Sequence, residues 1–161
     1  MDIPIHLQFL VLGLLLALSA FFSSAETSLM TLNRYRLRHL ANDGHRGARL
    51  AQALLKKTDH LLGAILLGNT FAAVAIATIS DDISLQLLGE GNTGLIVGTI
   101  TVTFVILIFG EITPKVVAAA HAEKLAFAYS YVLYPLIKIL YPAIWFTNLF
   151  VTGLLKLFRI K

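Results

Sequence analysis

Long apolar blocks run through this chain and are separated by shorter polar stretches. Ile3–Phe22 contains no acidic or basic residue other than His6, and neither Leu61–Ser80 nor Leu95–Gly110 contains any charged residue. Roughly 20 helical residues cross a hydrocarbon core about 30 Å thick. The pattern therefore predicts three membrane-spanning helices. They cover about residues 3–30, 60–80 and 95–113.

The stretch between the first two blocks, residues 34–57, also has a helical pattern. Two sets of apolar residues recur there at helical spacing, namely Leu37, Leu40 and Ala41, then Leu50, Ala51, Leu54 and Leu55. Gly44 and Gly47 separate the two sets. We expect two short amphipathic helices lying at the membrane surface. A solvated charged hairpin is the alternative.

The distribution of charge predicts the orientation of the helices. Asn33–Thr58 carries seven basic residues against Asp43 alone, whereas Asp81–Gly94 carries three acidic residues and no basic one. Cytoplasmic loops of membrane proteins are enriched in Lys and Arg. The first connection is therefore expected in the cytoplasm and the second outside. The N-terminus is then outside, and the C-terminus is cytoplasmic.

The last segment, Leu125–Arg159, is apolar enough to span a membrane. Lys138 lies near its middle between Pro135 and Pro142, and five aromatic residues typical of the membrane–water interface run through it. If the segment spanned, its basic C-terminal residues would lie outside. We expect a bent belt helix along the cytoplasmic interface, over about 125–159, with a fourth span as the alternative.

Composition supports an all-α membrane protein that forms a single transmembrane domain, residues 1–161. The chain is 57% hydrophobic and 14% charged, whereas soluble domains average about 25% charged residues. Its net charge of +4 comes from basic residues that flank apolar blocks, which argues against nucleic-acid binding. Cys is absent, and no histidine lies near an intramembrane serine or aspartate. An enzyme is therefore not expected.

Polar side chains within the first span mark a candidate site, because such groups are costly in lipid. Ser19, Ser23 and Glu26 share one face of the helix, and Ser24 and Ser28 share another. Serine hydroxyls in membrane helices also bond to their own backbone or help helices to pack. Glu26 could equally be hydrated near the cytoplasmic end.

In the second span, Asn69 is the strongest polar residue at mid-membrane, and Thr70 follows it. Ala64 and Gly68 form a pair of small residues that permits close helix approach. The Asn69 amide could be an oxygen ligand for a hard cation or an interhelical hydrogen-bonding group.

The third span leads into Gly110-Glu111, followed by Pro114-Lys115. Proline has no N–H and clashes with the carbonyl four residues back, which here belongs to Gly110. A broken helix would free that carbonyl beside the Glu111 carboxylate, as happens where membrane helices line a cavity or bind an ion. The alternative is an ordinary kink in which Glu111 pairs with Lys115.

These groups offer hydroxyl, amide, carboxylate and carbonyl oxygens. Without Cys or a close pair of His, they argue against zinc, copper and iron and favour a hard cation. One or two carboxylates among neutral oxygens suit Mg²⁺ better than Ca²⁺, while Na⁺ fits the same oxygen set.

Taken together and in order, these motifs resemble the transmembrane domain of the CorB/CorC and cyclin M (CNNM) magnesium transporter family. The matching stretches are Phe22-Ser23, Glu26-Thr27, Leu32-Asn33-Arg34, Leu67-Gly68-Asn69 and Gly110 through Lys115. The resemblance implies a homodimer with three spans and a belt helix in each protomer. It also implies cytoplasmic CBS domains that bind ATP, which this chain lacks.

By position, the resemblance implies that Mg²⁺ binds at Ser23, Asn69, Gly110 and Glu111, with Glu26 and Ser28 nearby. Secondary candidates are Ser24, Thr70, Pro114 and Lys115. The function expected from this is Mg²⁺ efflux across a bacterial inner membrane, with Na⁺ as a candidate coupling ion. The alternative is a membrane anchor and dimerisation module for cytoplasmic sensor domains.

Overall fold

The computed structural model describes residues 4–89 and 91–159, and every regular element within those ranges is helical. The expectation of an all-α protein is confirmed. In chain order the helices are α1 (Ile5–Thr31), α2 (Arg34–Asn42), α3 (Arg46–Lys56), α4 (Thr58–Leu88), α5 (Asn92–Val105), α6 (Thr113–Ala120) and α7 (Ala122–Leu157). A π-helical stretch, Ile106–Ile112, joins α5 to α6 and is called the π segment below.

Four stretches of helix are long and apolar enough to cross a membrane, judged by length and composition. They are Ile5–Thr31, Thr58–Leu88, Asn92–Ala120 and Ala122–Leu157. The predicted arrangement of three spans and a belt helix is therefore not confirmed. The last helix meets the same criteria as the others, because its 36 residues run through Pro135 and Pro142 without interruption.

The second span extends well beyond its predicted end. Helix α4 continues to Leu88 and ends at Gly89, whose φ of 77° is favourable for glycine. Asp81 and Asp82 therefore lie in the last turns of α4, and the prediction that they belong to a connecting loop was wrong. The third acidic residue assigned to that connection, Glu90, lies outside the described residues.

The third span is widened near its end and is not broken. The Thr113 N–H donates to the Ile108 carbonyl, five residues back, as in a π-helix. The helical path then continues through Pro114 to Ala120, so the expected end of the helix near residue 113 was wrong. The wider register accommodates the proline without interrupting the helix.

The expected pair of short helices is present as α2 and α3. The Asn33 side chain caps α2 by accepting hydrogen bonds from the N–H groups of Tyr35 and Arg36 at 3.0 and 3.2 Å. In the same way, His45 Nδ1 accepts a hydrogen bond from the Ala48 N–H at 3.1 Å and caps α3. The apolar faces are buried at Leu37, Ala41, Ala51, Leu54 and Leu55.

Helix α1 is the centre of the fold, and it contacts α4, the π segment, α6 and α7. The largest apolar core lies at one end of the molecule. There the C-terminal half of α1 meets the α2–α3 hairpin and the N-terminal halves of α4 and α7. The third span has few buried positions among the described residues, and they are small residues: Gly94, Gly110 and Ala118.

Candidate cation site

The predicted polar face of α1 is buried within the protein. Ser19 and Ser23 lie one helical turn apart and are 4% and 2% exposed. Both therefore point towards neighbouring helices. This face forms the centre of the candidate site.

Helix α4 meets this face at its predicted glycine. The Phe22 ring lies directly against Gly68, and a Cβ built at position 68 would overlap the ring atoms. The close approach places the Phe22-Ser23 level of α1 beside the Gly68-Asn69 level of α4. The small residue that the sequence indicated as a packing position therefore brings two candidate site residues to the same level.

Asn69 is the residue in this region whose polar group lacks a partner. Its side-chain oxygen is buried and accepts no hydrogen bond from the described part of the chain. A buried polar atom without a partner costs about 1–3 kcal/mol, so such atoms are rare in folded proteins. A cation or a water molecule in contact with this oxygen would remove that cost.

The π segment meets the same face of α1 one turn further towards the N-terminus. Gly110 is buried, and a Cβ built on it would lie 2.9 Å from Ser19 Oγ. Only glycine allows the two backbones to approach in this way. π-helical turns occur frequently at functional sites, so this stretch remains a candidate although its helix is not broken.

The Glu111 carboxylate follows directly and is exposed, as is Lys115. No ion pair joins Glu111 to Lys115 within the described residues. The alternative of a simple kink closed by this pair is therefore not what the structure has. Pro114 is half-buried, and its backbone nitrogen has no hydrogen to donate. The carbonyl left without that donor is the one of Gly110 if the register is α-helical and the one of Phe109 if it is π-helical.

The remaining candidates have other surroundings. The Ser24 hydroxyl donates to the Tyr129 hydroxyl of α7 at 3.0 Å, and the Ser28 hydroxyl donates to the Ala25 carbonyl at 3.1 Å. Glu26 is half-buried and Thr70 is exposed. The structure thus places Ser23 and Asn69 at the same level of two adjoining helices and Gly110 against Ser19 of α1, and it gives Ser24 and Ser28 hydrogen bonds that serve packing.

The side chains in this region offer a limited set of metal-binding atoms. Residues 4–89 and 91–159 contain no group of three or more His, Cys, Asp or Glu side chains that could hold a metal ion. Around α1, α4 and the π segment the available donors are hydroxyl, amide, carbonyl and single carboxylate oxygens. Such a set suits a hard cation that keeps part of its hydration shell.

Sequence reasoning missed a second buried polar atom on α4. The Ser80 hydroxyl is buried without a hydrogen-bond partner among the described residues. Ser80 lies eleven residues beyond Asn69, which is three helical turns along the same face. It contributes to the wall of a largely apolar cavity of about 340 Å³, together with Ser84 and Thr101. The signal available in the sequence was the spacing of three helical turns between Asn69 and Ser80.

An amide near the start of α1 was also missed. Gln8 is 1% exposed, and its Nε2 donates to Asp82 Oδ2 of α4. Gln86 Nε2 donates to Gln8 Oε1 at 3.1 Å and to Asp82 Oδ2 at 3.0 Å. This network joins the N-terminal end of α1 to the C-terminal end of α4, at the opposite end of the bundle from the hairpin. A single amide among the otherwise apolar residues 7–17 was the available signal.

Several bacterial and plant proteins are similar to this chain over nearly its full length. A UPF0053 protein of Haemophilus influenzae is 43% identical over 160 residues, covering 99% of this chain and 38% of the relative. The UPF0053 inner membrane protein YfjD of Escherichia coli is 38% identical over 144 residues, covering 89% and 33% respectively. A chloroplastic DUF21 domain-containing protein of Arabidopsis thaliana is 34% identical over 154 residues, covering 96% and 23%.

The chain therefore spans less than two fifths of the length of these curated relatives. Its resemblance to a known family, first indicated by the serine, asparagine and glycine–glutamate motifs, is confirmed by a direct match. Residues 10–161 match the family described as the cyclin M transmembrane N-terminal domain. The chain belongs to the cyclin M (CNNM) transmembrane domain family.

Proposed function

We propose that this domain binds Mg²⁺ between α1, α4 and the π segment and moves it across the membrane. The observation that carries the proposal is the Asn69 side-chain oxygen, which is buried in the middle of a 31-residue apolar helix without a partner. A protein that only needed to pack α4 against α1 would be more stable with an apolar residue at this position. A transported cation gives this oxygen a role.

In this proposal Ser23, Asn69 and the Gly110 carbonyl supply neutral ligands, and Glu111 supplies the countercharge. Glu26 and Ser28 lie further along α1 towards the hairpin and would contact the ion on its way in. Ser24, Thr70, Pro114 and Lys115 shape the site and its surroundings without being primary ligands. A ligand set of one carboxylate and several neutral oxygens leaves part of the Mg²⁺ charge uncompensated, so the ion can be released again.

The wider setting of the proposal follows from charge and from the family resemblance. The basic hairpin is on the cytoplasmic side of a bacterial inner membrane, together with the C-terminus. Transport is outward, coupled to Na⁺ entry, and is carried out by a homodimer. Regulation by ATP belongs to CBS domains, which lie outside this chain.

The proposal is tested by Mg²⁺ flux in proteoliposomes containing the wild-type chain or single variants. Asn69→Ala and Glu111→Gln are expected to abolish flux, because one removes a neutral ligand and the other removes the countercharge. Thr78→Ala and Asp59→Asn are the matched controls, since each makes a comparable change at an exposed position away from the site. Wild-type flux in both site variants would rule the proposal out.

The second candidate function, a membrane anchor that dimerises sensor domains, is favoured by a different observation. The Ser24 hydroxyl is used to join α1 to α7 and the Ser28 hydroxyl bonds to its own helix, so part of the polar face serves packing. An anchor predicts that Mg²⁺ leaves thermal stability unchanged in the wild-type chain. A transporter predicts Mg²⁺-dependent stabilisation that is absent in Asn69→Ala.

A further inference from the structure

A small cleft between α2 and α3 combines a basic rim with an apolar floor. It has a volume of about 200 Å³ and is lined by Arg34, Leu37, Arg38, Gln52, Leu55 and Lys56. Leu37 and Leu55 are 3% and 6% exposed and form the floor. Arg34 and Arg38 lie one turn apart on α2, and Gln52 and Lys56 lie one turn apart on α3. Four hydrogen-bond-donating side chains therefore surround the opening.

The three cations of this cleft have no carboxylate partner in the described part of the chain. Other basic groups nearby do have partners. Arg36 pairs with Glu123 of α7, and the hydrogen bond and charge of that carboxylate raise the pKa of Arg36 above its ordinary value. The Lys138 ammonium lies 4.4 Å from the centre of the Tyr134 ring. The hairpin's one acid, Asp43, lies at its far turn beside His39.

Like charges one turn apart on a helix repel each other, so Arg34 and Arg38 are unfavourable neighbours unless an anion lies between them and Lys56. A phosphate group is the anion that suits this arrangement, because guanidinium groups bind its oxygens in pairs and an ammonium adds a point charge. The Gln52 amide provides a further donor.

The position of the cleft identifies the source of the phosphate. Arg34 comes three residues after the end of α1, and Lys56 comes two residues before the start of α4. Since both α1 and α4 are long enough to span, the cleft lies where the chain leaves and re-enters the bilayer. Lipid phosphates occupy that depth, and basic pockets at the cytoplasmic face bind anionic headgroups. The buried leucines of the floor suit the glycerol end of a lipid.

We propose that the cleft formed by Arg34, Arg38, Gln52 and Lys56 is a binding site for the phosphate headgroup of an anionic phospholipid of the cytoplasmic leaflet. The site is separate from the candidate cation site and does not depend on magnesium transport. Its occupation would hold the α2–α3 hairpin against the membrane surface.

The test uses the 161-residue chain in nanodiscs of phosphatidylcholine with or without phosphatidylglycerol, and it compares Arg38→Gln with Arg46→Gln. Both variants remove one positive charge from the same hairpin, but Arg46 does not line the cleft. Native mass spectrometry of the extracted protein counts bound phosphatidylglycerol, and thermal unfolding measures the stabilisation that this lipid gives.

The expected result is one bound phosphatidylglycerol on the wild type and on Arg46→Gln. For Arg38→Gln the affinity should be at least about fivefold lower, the equivalent of about 1 kcal/mol for one basic contact. Equal losses in the two variants would show diffuse surface attraction and overturn the proposal. Equal stabilisation by inorganic phosphate in pure phosphatidylcholine would also overturn it, because the site would then be one for free phosphate. A wild type that neither binds phosphatidylglycerol nor is stabilised by it would also overturn the proposal.

Discussion

Ser19 of α1 lies against Gly110 of the π segment, so closely that a methyl group at position 110 would lie 2.9 Å from the serine hydroxyl. The contact fixes the distance between the first and third spans at the level of the candidate site. It also explains why a residue without a side chain is found beside Glu111. Two backbones approach here because neither presents a bulky group.

Substitution of Gly110 by Ala should push the π segment away from α1. We expect a loss of stability of about 1 kcal/mol or more, since overpacked positions typically lose about 1–3 kcal/mol. Thermal unfolding in detergent measures the loss. The double variant Gly110→Ala with Ser19→Ala removes the hydroxyl that the new methyl group would meet and should recover most of the stability. No recovery would show that Gly110 is required for another reason.

The contact between Gly68 and Phe22 makes a second packing prediction. A Cβ at position 68 would overlap the ring of Phe22, which is 4% exposed and would have to shift. Gly68→Ala is therefore expected to destabilise the chain by about 1–3 kcal/mol. Gly13→Ala on α1 is the control, because a Cβ there meets no atom within 4 Å. Equal stabilities of the two variants would contradict the close approach of α1 and α4.

Asn69 allows packing and ion binding to be separated. Because its buried oxygen has no hydrogen-bond partner among the described residues, Asn69→Ala should cost little stability when Mg²⁺ is removed by a chelator. The same variant should lose the stabilisation that Mg²⁺ gives to the wild type. The measurement is thermal unfolding with and without Mg²⁺. A large loss in chelator alone would favour Asn69 as interhelical hydrogen-bonding group.

The hydrogen bond between Ser24 and Tyr129 is expected to contribute a small amount to the docking of α7 on α1. Tyr129→Phe and Ser24→Ala should each reduce stability by about 0.5–1.5 kcal/mol, and the double variant should lose less than the sum. Equilibrium unfolding of the four proteins measures this coupling. Strict additivity would mean that the two hydroxyls do not interact.

The position of α7 relative to the bilayer can be tested by accessibility labelling, because the chain contains no Cys. A single cysteine at Gly44 reports the side of the membrane on which the hairpin lies. A single cysteine at Gly153 reports the same for the C-terminal part of α7. If α7 lies along the cytoplasmic interface, a membrane-impermeant thiol reagent should modify both from the same side of oriented vesicles. Modification of position 153 from the opposite side would make α7 a fourth span.

Hydrophobic patterning predicted the helices and the hairpin correctly, because each depends on the residues within it. It could not decide between a belt and a span for α7, since a largely apolar helix of 36 residues with Lys138 and two prolines is compatible with both. It predicted too short a second span, because Asp81 and Asp82 read as a loop. In the structure Gln8 of α1 bonds to Asp82 in the last turns of α4, and such a contact is not visible from local sequence.

The candidate site, like the fold, was predicted only in part from the sequence. Asn69 was evident as a polar residue in an apolar helix, but its missing partner depends on what the facing helix presents. The Glu111–Lys115 pair looked plausible because it assumes α-helical spacing. In the structure Glu111 lies within the π segment and Lys115 in α6, and sequence spacing does not reveal a π-helical register.

The π segment also sets the rotational phase of the third span. Gly110 and Ala118 are both buried, although eight residues of α-helix would leave them about 80° apart. The larger number of residues per π-helical turn reduces that offset, so one helix can present both small residues to α1. Deletion of a single residue from Ile106–Ile112 would remove the extra residue of the wide turn and return this stretch to α-helical spacing. The wide turn therefore depends on the number of residues in this stretch as well as on their chemistry.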